Sequence, residues 1–155
     1  VTTASDAVTA YLQALLLTLV ATWVAIPVEL WPENGSWQRM GFKNVGDDRP
    51  MCRLYKALYG HAEAGGHWAR LLNKSMKELG AIPVPGHKSS FWFPKQFQLL
   101  TVYVDDLLLS GPAELQAEVW KNIRSKIDAE DPEPLDRYLG RTHTVAPLPK
   151  PSGGC

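Results

Sequence analysis

The clearest hydrophobic pattern is a pair of apolar runs, at residues 99–102 and 107–109, on either side of Tyr-Val-Asp-Asp at residues 103–106. Each run has the length and the side-chain content of a β-strand. Two neighbouring strands of this kind are commonly joined by a tight reversal. The pattern therefore predicts a β-hairpin that holds Asp105 and Asp106 at its bend.

Apolar residues at helical spacing predict two helices. The first is followed by Gly80, which is placed to end it, and its apolar positions are Trp68, Leu71, Leu72, Met76 and Leu79. The second follows the chain break at Gly111-Pro112 and has an apolar residue every four positions, at Leu115, Val119, Ile123 and Ile127. Ser-Phe-Trp-Phe at residues 90–93 predicts a short strand that pairs with the hairpin.

The N-terminal part of the chain contains 22 consecutive uncharged residues, 7–28. That is long enough to cross a bilayer, which takes about 20 residues. However, Gln13, three threonines and Pro27 interrupt the run, and no cluster of lysine or arginine flanks it. The preferred interpretation is a strand that carries Asp6, a short buried helix, and a second extended segment at residues 22–30. No membrane partner is expected on this interpretation.

The remaining segments set the domain limits. Residues 39–50 are polar and contain glycine, which predicts a loop. Residues 146–155 are rich in proline and glycine and are expected to form a disordered tail. We therefore predict one domain over residues 1–145. Its fold class is α+β, a small antiparallel sheet with the helices packed on one face and the carboxylates on the open face.

Charge and cysteine content narrow the expected binding partners and the expected cellular location. The formal net charge is zero, from 16 basic and 16 acidic residues, whereas proteins that hold nucleic acid by its phosphates usually carry a basic surplus. Composition thus argues against autonomous nucleic-acid binding. Cys52 and Cys155 lie far apart, and the four histidines form no zinc pattern with them. A reducing intracellular location, cytoplasmic or nuclear, is expected.

The two adjacent carboxylates suggest a metal site. Asp105 and Asp106 repel each other and lie between apolar segments, where an uncompensated charge is costly. Their hard oxygen atoms suit magnesium or manganese. The alternative is an ordinary Asp-Asp surface turn, but such turns usually have polar neighbours. The apolar flanks therefore favour a metal site.

Four segments resemble the reverse transcriptases of copia-type retrotransposons. Tyr-Val-Asp-Asp after an apolar strand resembles their catalytic hairpin, and residues 6–12 resemble the first catalytic motif, an aspartate followed five residues later by an aromatic. Residues 52–60 with Trp68 resemble the stretch that leads into the helix under the template. Residues 138–140, Tyr-Leu-Gly, resemble the closing segment. The four occur in the family's order.

This resemblance implies a polymerase palm and two-metal nucleotidyl transfer, with two Mg²⁺ or Mn²⁺ ions as cofactors. Asp6 and Asp105 would bridge the ions, Asp106 would assist, and the backbone carbonyl of Ala7 would be a further ligand. Although Asp6 and Asp105 are 99 positions apart, their carboxyl groups should then lie within reach of one shared ion.

The resemblance also implies substrate contacts. Tyr11 would lie under the sugar and favour deoxynucleotides, although the residues alone would make it a core aromatic. Gly60 would let the template or nucleotide approach the backbone, and Tyr103 would lie near the primer terminus. The expected partners are an RNA template, a DNA primer and deoxynucleoside triphosphates.

Two features depart from the family pattern. The common Lys-Gln-Ala-Pro-Arg stretch is Ala-Glu-Ala-Gly-Gly at residues 62–66, which puts Glu63 where an amide is expected. Only five residues precede Asp6, and no fingers, integrase or ribonuclease H module is present in these residues, so a fragment of a polyprotein is expected. Two alternatives stay open: a non-catalytic remnant of the palm, and a membrane-associated or unrelated metal-dependent phosphoesterase.

Overall fold

The structure, a computed structural model, describes residues 1–43, 46–144 and 146. Almost all of the expected tail at residues 146–155 lies outside the described residues. The chain forms two compact units. The first consists of Val1–Val8 and Ser75–Cys155, and the second of Thr9–Lys74.

The described residues form ten strands and four α-helices. The strands are β1 Thr2–Asp6, β2 Trp23–Ala25, β3 Met51–Arg53, β4 Ile82–Pro83, β5 Ser90–Phe93, β6 Gln98–Tyr103, β7 Asp106–Ser110, β8 Glu133–Pro134, β9 Arg137–Tyr138 and β10 Arg141–Thr142. The helices are α1 Ala10–Gln13, α2 Ser36–Arg39, α3 Ala64–Glu78 and α4 Ala113–Arg124. Single 3₁₀ turns lie at Val28–Leu30 and Gly46–Asp48. The predicted mixture of helices with an antiparallel sheet is thereby confirmed.

A six-stranded sheet forms the body of the first unit. Its strand order is β4-β5-β6-β7-β1-β8, and every neighbouring pair is antiparallel. Side chains alternate between faces along a strand, and the buried apolar ones in β5, β6 and β7 are Phe91, Phe93, Leu100, Val102, Leu107 and Leu109. The predicted hairpin and the predicted strand at residues 90–93 therefore meet in one sheet, with β5 paired to β6.

Helix α4 packs against this sheet by its apolar side, where Val119, Trp120 and Ile123 are buried. The Trp120 indole N–H donates to Thr3 Oγ1 in β1, at 2.8 Å. The Gln116 amide donates to the carbonyl oxygen of Leu109 in β7, at 3.2 Å. These bonds satisfy polar groups that would otherwise be buried without a partner.

Helix α3 ends where the sequence predicts. Gly80 has a positive φ of 83°; its N–H donates to the carbonyl of Lys77, and the N–H of Ala81 donates to that of Met76. This pair of bonds is a Schellman motif, in which a glycine adopts the left-handed conformation at little cost.

The second unit contains α1, α2, β2, β3 and most of α3, and has a small core. Ala14, Ala57 and Ala64 are buried together, with Tyr11 and Leu71 packed against them. Strands β2 and β3 form a separate two-stranded antiparallel sheet.

The expected buried helix in the uncharged run is largely wrong. Within this run, only Ala10–Gln13 is helical. The backbone becomes extended at Ala14, and Leu15 forms a β-bridge with Lys56. Residues 15–20 then leave Leu17 and Leu19 exposed. The expected extended segment at residues 22–30 is correct only for β2, since a 3₁₀ turn follows Pro27. No helix in the described parts of the chain is long and apolar enough to cross a membrane.

Candidate active site at the end of the sheet

Two of the predicted acids face each other across two strands. Asp6 is the last residue of β1, Asp106 is the first residue of β7, and the two are directly paired in the antiparallel register. The β-carbons of such a pair lie about 4.5–5.5 Å apart. The fold thus brings together two carboxylates that are 100 positions apart in the sequence.

The third acid lies in the turn of the hairpin. Tyr103 and Asp106 form the last strand pair, so Val104 and Asp105 make up a two-residue turn. The predicted bend at Asp105 and Asp106 is therefore displaced by one residue, because Asp106 already belongs to β7. Two-residue hairpin turns favour a positive φ in the turn, and Val104 has a φ of 57°.

Backbone hydrogen bonds hold this turn beside the end of β1. The Ala7 N–H donates to the carbonyl oxygen of Asp105, with 2.7 Å between nitrogen and oxygen. On the other side, the Glu130 N–H donates to the carbonyl of Asp6 at 2.9 Å, next to a β-bridge between Ala7 and Ala129. Asp6, Ala7, Asp105 and Asp106 consequently occupy one end of the sheet.

The acids perturb one another. The pKa of Asp106 is raised from its ordinary value of 3.8, first by partial burial, then by the negative charges of Asp6 and Asp105, and also by a hydrogen bond with the Asp6 side chain. A hydrogen bond between two carboxyl groups requires a proton on one of them. The Asp6–Asp106 pair is therefore most stable when it holds a proton or another positive charge.

Tyr138 is a site residue that the sequence placed only in the closing segment. Its pKa is raised by burial and then by the charges of Asp106 and Tyr103, so its phenol is near enough to Asp106 to be affected by that carboxylate. Tyr103 itself is largely exposed. The sequence contains the Tyr-Leu-Gly motif, but this motif does not predict that Tyr138 lies near Asp106.

An acidic wall continues from Asp6. A cavity of about 250 Å³ is lined by Ser5 and Asp6 and by four further acids, Glu130, Asp131, Glu133 and Asp136. Arg124 forms an ion pair with Asp131. Sequence reasoning missed this wall because its residues join Asp6 only through strand pairing at Ala7 and β8.

The two remaining predicted site residues lie in the second unit. The Tyr11 ring lies 4.5 Å from the Tyr59 ring, centroid to centroid, and packs against the small alanine core. These contacts are typical of a core aromatic residue, which is the role that the sequence suggests for Tyr11 when the family resemblance is left aside. Gly60 has a φ of 87°, a conformation that glycine adopts readily.

Glu63, the departure from the family pattern, lies beside a buried histidine within the second unit. Its carboxylate lies 3.4 Å from Nε2 of the buried His67, whose Nδ1 lies 2.9 Å from the Arg70 guanidinium. The Glu63 side chain is nonetheless 59% exposed, so it still adds negative charge to the surface.

The carboxylate cluster has the donor chemistry of a magnesium or manganese site, since both metals prefer hard oxygen ligands. Within the described part of the chain, no group of three or more His, Cys, Asp or Glu side chains is arranged to hold a metal ion. Asp6, Asp105 and Asp106 therefore match such a metal in two respects. Their oxygen atoms are of the chemical type that these metals prefer, and a cation would relieve the repulsion between their negative charges.

Fold and site together define a mixed α/β protein whose antiparallel sheet gathers three carboxylates at one end. Residues 35–145 match the family described as reverse transcriptase (RNA-dependent DNA polymerase). The chain therefore belongs to the reverse transcriptase family, and the resemblance to copia-type retrotransposons is confirmed.

Two plant proteins are among its relatives. The chain is 31% identical over 101 residues to the retrovirus-related Pol polyprotein from transposon RE1 of Arabidopsis thaliana, which covers 62% of this chain and 7% of the relative. It is 29% identical over 107 residues to the retrovirus-related Pol polyprotein from transposon TNT 1-94 of Nicotiana tabacum. This match covers 66% of this chain and 8% of the relative. The matched region thus spans less than a tenth of either relative. No solved structure matches the chain significantly.

Proposed function

We propose that this chain is the palm-like part of an RNA-directed DNA polymerase from a retrotransposon Pol polyprotein. The observation that supports the proposal best is the pairing of Asp6 with Asp106, with Asp105 tethered to Ala7 beside them. Nucleotidyl transfer needs carboxylates that converge from separate elements. Family membership supports the reaction type.

The acids would divide the work of holding two divalent cations. When bound, Mg²⁺ or Mn²⁺ would lower the pKa of the primer 3′-hydroxyl and neutralise the charge on the leaving pyrophosphate. By family resemblance, Asp6 and Asp105 would hold the two ions, Asp106 would assist, and the carbonyl oxygen of Ala7 would add a ligand without a net charge. Partial burial and the nearby negative charges raise the pKa of Asp106, so a cation bound beside Asp6 would compete with a proton for this carboxylate.

The remaining residues would position the substrates. By family resemblance, Tyr103 would contact the primer terminus, Tyr11 would lie under the sugar and disfavour a ribose 2′-hydroxyl, and Gly60 would allow a close approach of the template or nucleotide. The partners would be an RNA template, a DNA primer and deoxynucleoside triphosphates. Other modules of the polyprotein would cooperate with this one.

A non-catalytic palm remnant is the competing proposal. The exposed carboxylate of Glu63 and the lack of a basic side chain at residues 62–66 support it, since phosphates are normally met by positive charge. Such a remnant would keep the fold and cation binding without polymerising. The family match excludes the third alternative, an unrelated phosphoesterase.

Primer extension on an RNA template with Mg²⁺ tests these proposals. The full 155-residue chain is compared with Asp105→Asn and with Glu33→Gln, a matched control at an exposed acid of the second unit. Extension by the wild type and the control, with a loss of at least about 1,000-fold in Asp105→Asn, supports the polymerase. Equal extension by Asp105→Asn contradicts the assigned site. Because other modules of the polyprotein would cooperate with this one, the assay is repeated with those modules supplied, and no extension there, with cation binding retained, supports the remnant.

A further inference from the structure

Strand β1 carries Asp6 but lacks the large apolar side chains of its neighbours. It reads Thr-Thr-Ala-Ser-Asp, and within this strand, all of which is described, Ser5 alone is buried. Strands β6 and β7, by contrast, bury leucine or valine at alternate positions. A strand without an apolar face has a weakly specified register. Some other interaction must therefore fix the register of β1.

The position of Asp6 depends directly on that register. In the observed pairing, Asp6 is opposite Asp106. A slip of one residue would turn the Asp6 side chain to the other face of the sheet. A slip of two residues would keep the faces but would place Asp6 opposite Leu108, and Ala4 opposite Ser110.

The side-chain amide of Gln116, in α4, binds both members of one strand pair. Thr3 Oγ1 donates to Gln116 Oε1 at 3.0 Å, and Gln116 Nε2 donates to the carbonyl oxygen of Leu109 at 3.2 Å. Thr3 and Leu109 are directly opposite each other in β1 and β7. Gln116 Nε2 also donates to the carbonyl oxygen of Val1, at 3.1 Å. The amide therefore connects to β1 and β7 at matching positions.

These bonds disfavour any other register. Gln116 is only 5% exposed, so its amide has little access to water as an alternative partner. The Thr3 hydroxyl donates to Gln116 and accepts from the Trp120 indole N–H at 2.8 Å. A slip of β1 would remove the Thr3 hydroxyl from both partners and leave buried polar groups unsatisfied, which costs more than an ordinary hydrogen bond contributes.

We infer that Gln116 is a positioning residue, which sets the register of β1 and thereby holds Asp6 opposite Asp106. It acts through β1, and no contact with a substrate is assigned to it. Its importance for the reaction rests on the proposed function. The register itself is measurable without a metal ion or a nucleic acid.

Disulfide formation between engineered cysteines measures the register in the full chain, with Cys52 and Cys155 replaced by serine. Ala4→Cys with Leu108→Cys reports the observed register, because these residues are directly opposite each other and the β-carbons of such a pair come close to the separation in a disulfide. Ala4→Cys with Ser110→Cys reports a slip of two residues. The ratio of the two crosslinking rates is the quantity to compare.

Gln116→Met keeps the length of the side chain and removes the amide. It should lower the ratio of observed to slipped crosslinking at least about fivefold, since each hydrogen bond lost corresponds to about that factor. Thr3→Val removes the hydroxyl that joins Gln116 to β1 and nearly keeps the shape of the side chain. It should lower the ratio in the same direction.

Gln98→Met is the matched control. Gln98 is also fully buried, and its amide donates to the carbonyl oxygen of Pro112 at 2.7 Å. This bond joins β6 to the residue before α4 and does not involve β1. Gln98→Met should lower the melting temperature but keep the wild-type crosslinking ratio.

The outcomes separate positioning from stability and from the proposed function. A wild-type ratio in Gln116→Met overturns the inference even if the melting temperature falls, and so does an equal decrease in Gln98→Met. If Gln116→Met does not fold, an unchanged ratio in Thr3→Val overturns the inference instead. If the ratio falls as expected but Asp105→Asn extends a primer as well as the wild type, the assigned active site fails while the register role of Gln116 stands.

Discussion

Asp106 shows how the site affects the stability of the chain at the scale of single residues. Its pKa is raised in the folded chain, so the folded state holds this proton more tightly than the unfolded state. Ionising Asp106 therefore destabilises the fold as the pH rises above its ordinary value of 3.8. A site that binds cations can tolerate such a cost, because the bound ion removes the repulsion.

Replacing Asp106 by Asn should stabilise the metal-free chain at pH 7. The expected gain is about 0.5–1 kcal/mol, or about 2 °C in melting temperature. The gain should shrink as the pH falls toward 3.8, where the wild-type carboxyl also becomes neutral. Thermal unfolding over a pH series measures this. Glu33→Gln is the control, and a gain that grows toward low pH would contradict the reasoning.

Cation binding should depend on the same proton. A cation at the proposed site would compete with a proton for Asp106, whose pKa is raised, so Mn²⁺ affinity should increase with pH, by up to about tenfold per unit while the proton is still bound. Calorimetry in buffers of different ionisation enthalpy counts the released protons. Binding without proton release would mean that the ion does not use this pair.

At the scale of secondary structure elements, the hairpin depends on the buried side of β7. Leu107 and Leu109 are fully buried, whereas Leu108 faces the other side and is partly exposed. The alternation fixes the register, because a shift of one residue would turn every side chain to the opposite face. The positions of Asp105 and Asp106 follow from that register.

Leu109→Ala should lower the free energy of unfolding by about 2–4 kcal/mol, because it leaves a cavity in the core. Leu108→Ala, the matched control, should cost less than about 1.5 kcal/mol, since its side chain is only partly buried. Urea denaturation measures both values. Equal losses would mean that β7 does not have this register.

The sequence predicted the elements that have a clear period. Helix α3 with its end at Gly80, helix α4, strand β5 and the hairpin were all found in this way. Residues 15–20 are apolar except for Thr18 and have no period, so the sequence did not distinguish a helix from the bridged, extended segment that forms. Strands of two residues, such as β8, are too short to give a pattern.

The candidate site was only partly accessible from the sequence. The three acids were found by motif resemblance. The displacement of the turn by one residue was not predicted, because a valine gives no indication that its backbone has a positive φ. Tyr138 and the acidic wall at residues 130–136 were missed, since they approach Asp6 and Asp106 only through tertiary contacts.

At the scale of the whole molecule, the second unit exposes much apolar surface. Leu17, Leu19 and Val20 are each at least 75% exposed, and the chain has no net charge. Exposed apolar patches and a net charge near zero both favour association. The isolated chain is therefore expected to self-associate at high concentration.

Leu19→Ser should reduce this association with little effect on folding. Its side chain is fully exposed, so the free energy of unfolding should change by less than about 0.5 kcal/mol. Leu16→Ser, at a buried neighbour, should instead destabilise the chain by about 2 kcal/mol or more. Light scattering and urea denaturation separate the two effects, and unchanged scattering for Leu19→Ser would contradict the expectation.

The central claim is that Asp6, Asp105 and Asp106 meet at one cation site. Crystals of the 155-residue chain soaked in Mn²⁺ test it most directly, because anomalous scattering locates the metal. The account predicts a peak within about 2.5 Å of carboxylate oxygens of both Asp6 and Asp105. Manganese bound only elsewhere, or Asp6 directed away from the hairpin turn, would contradict it.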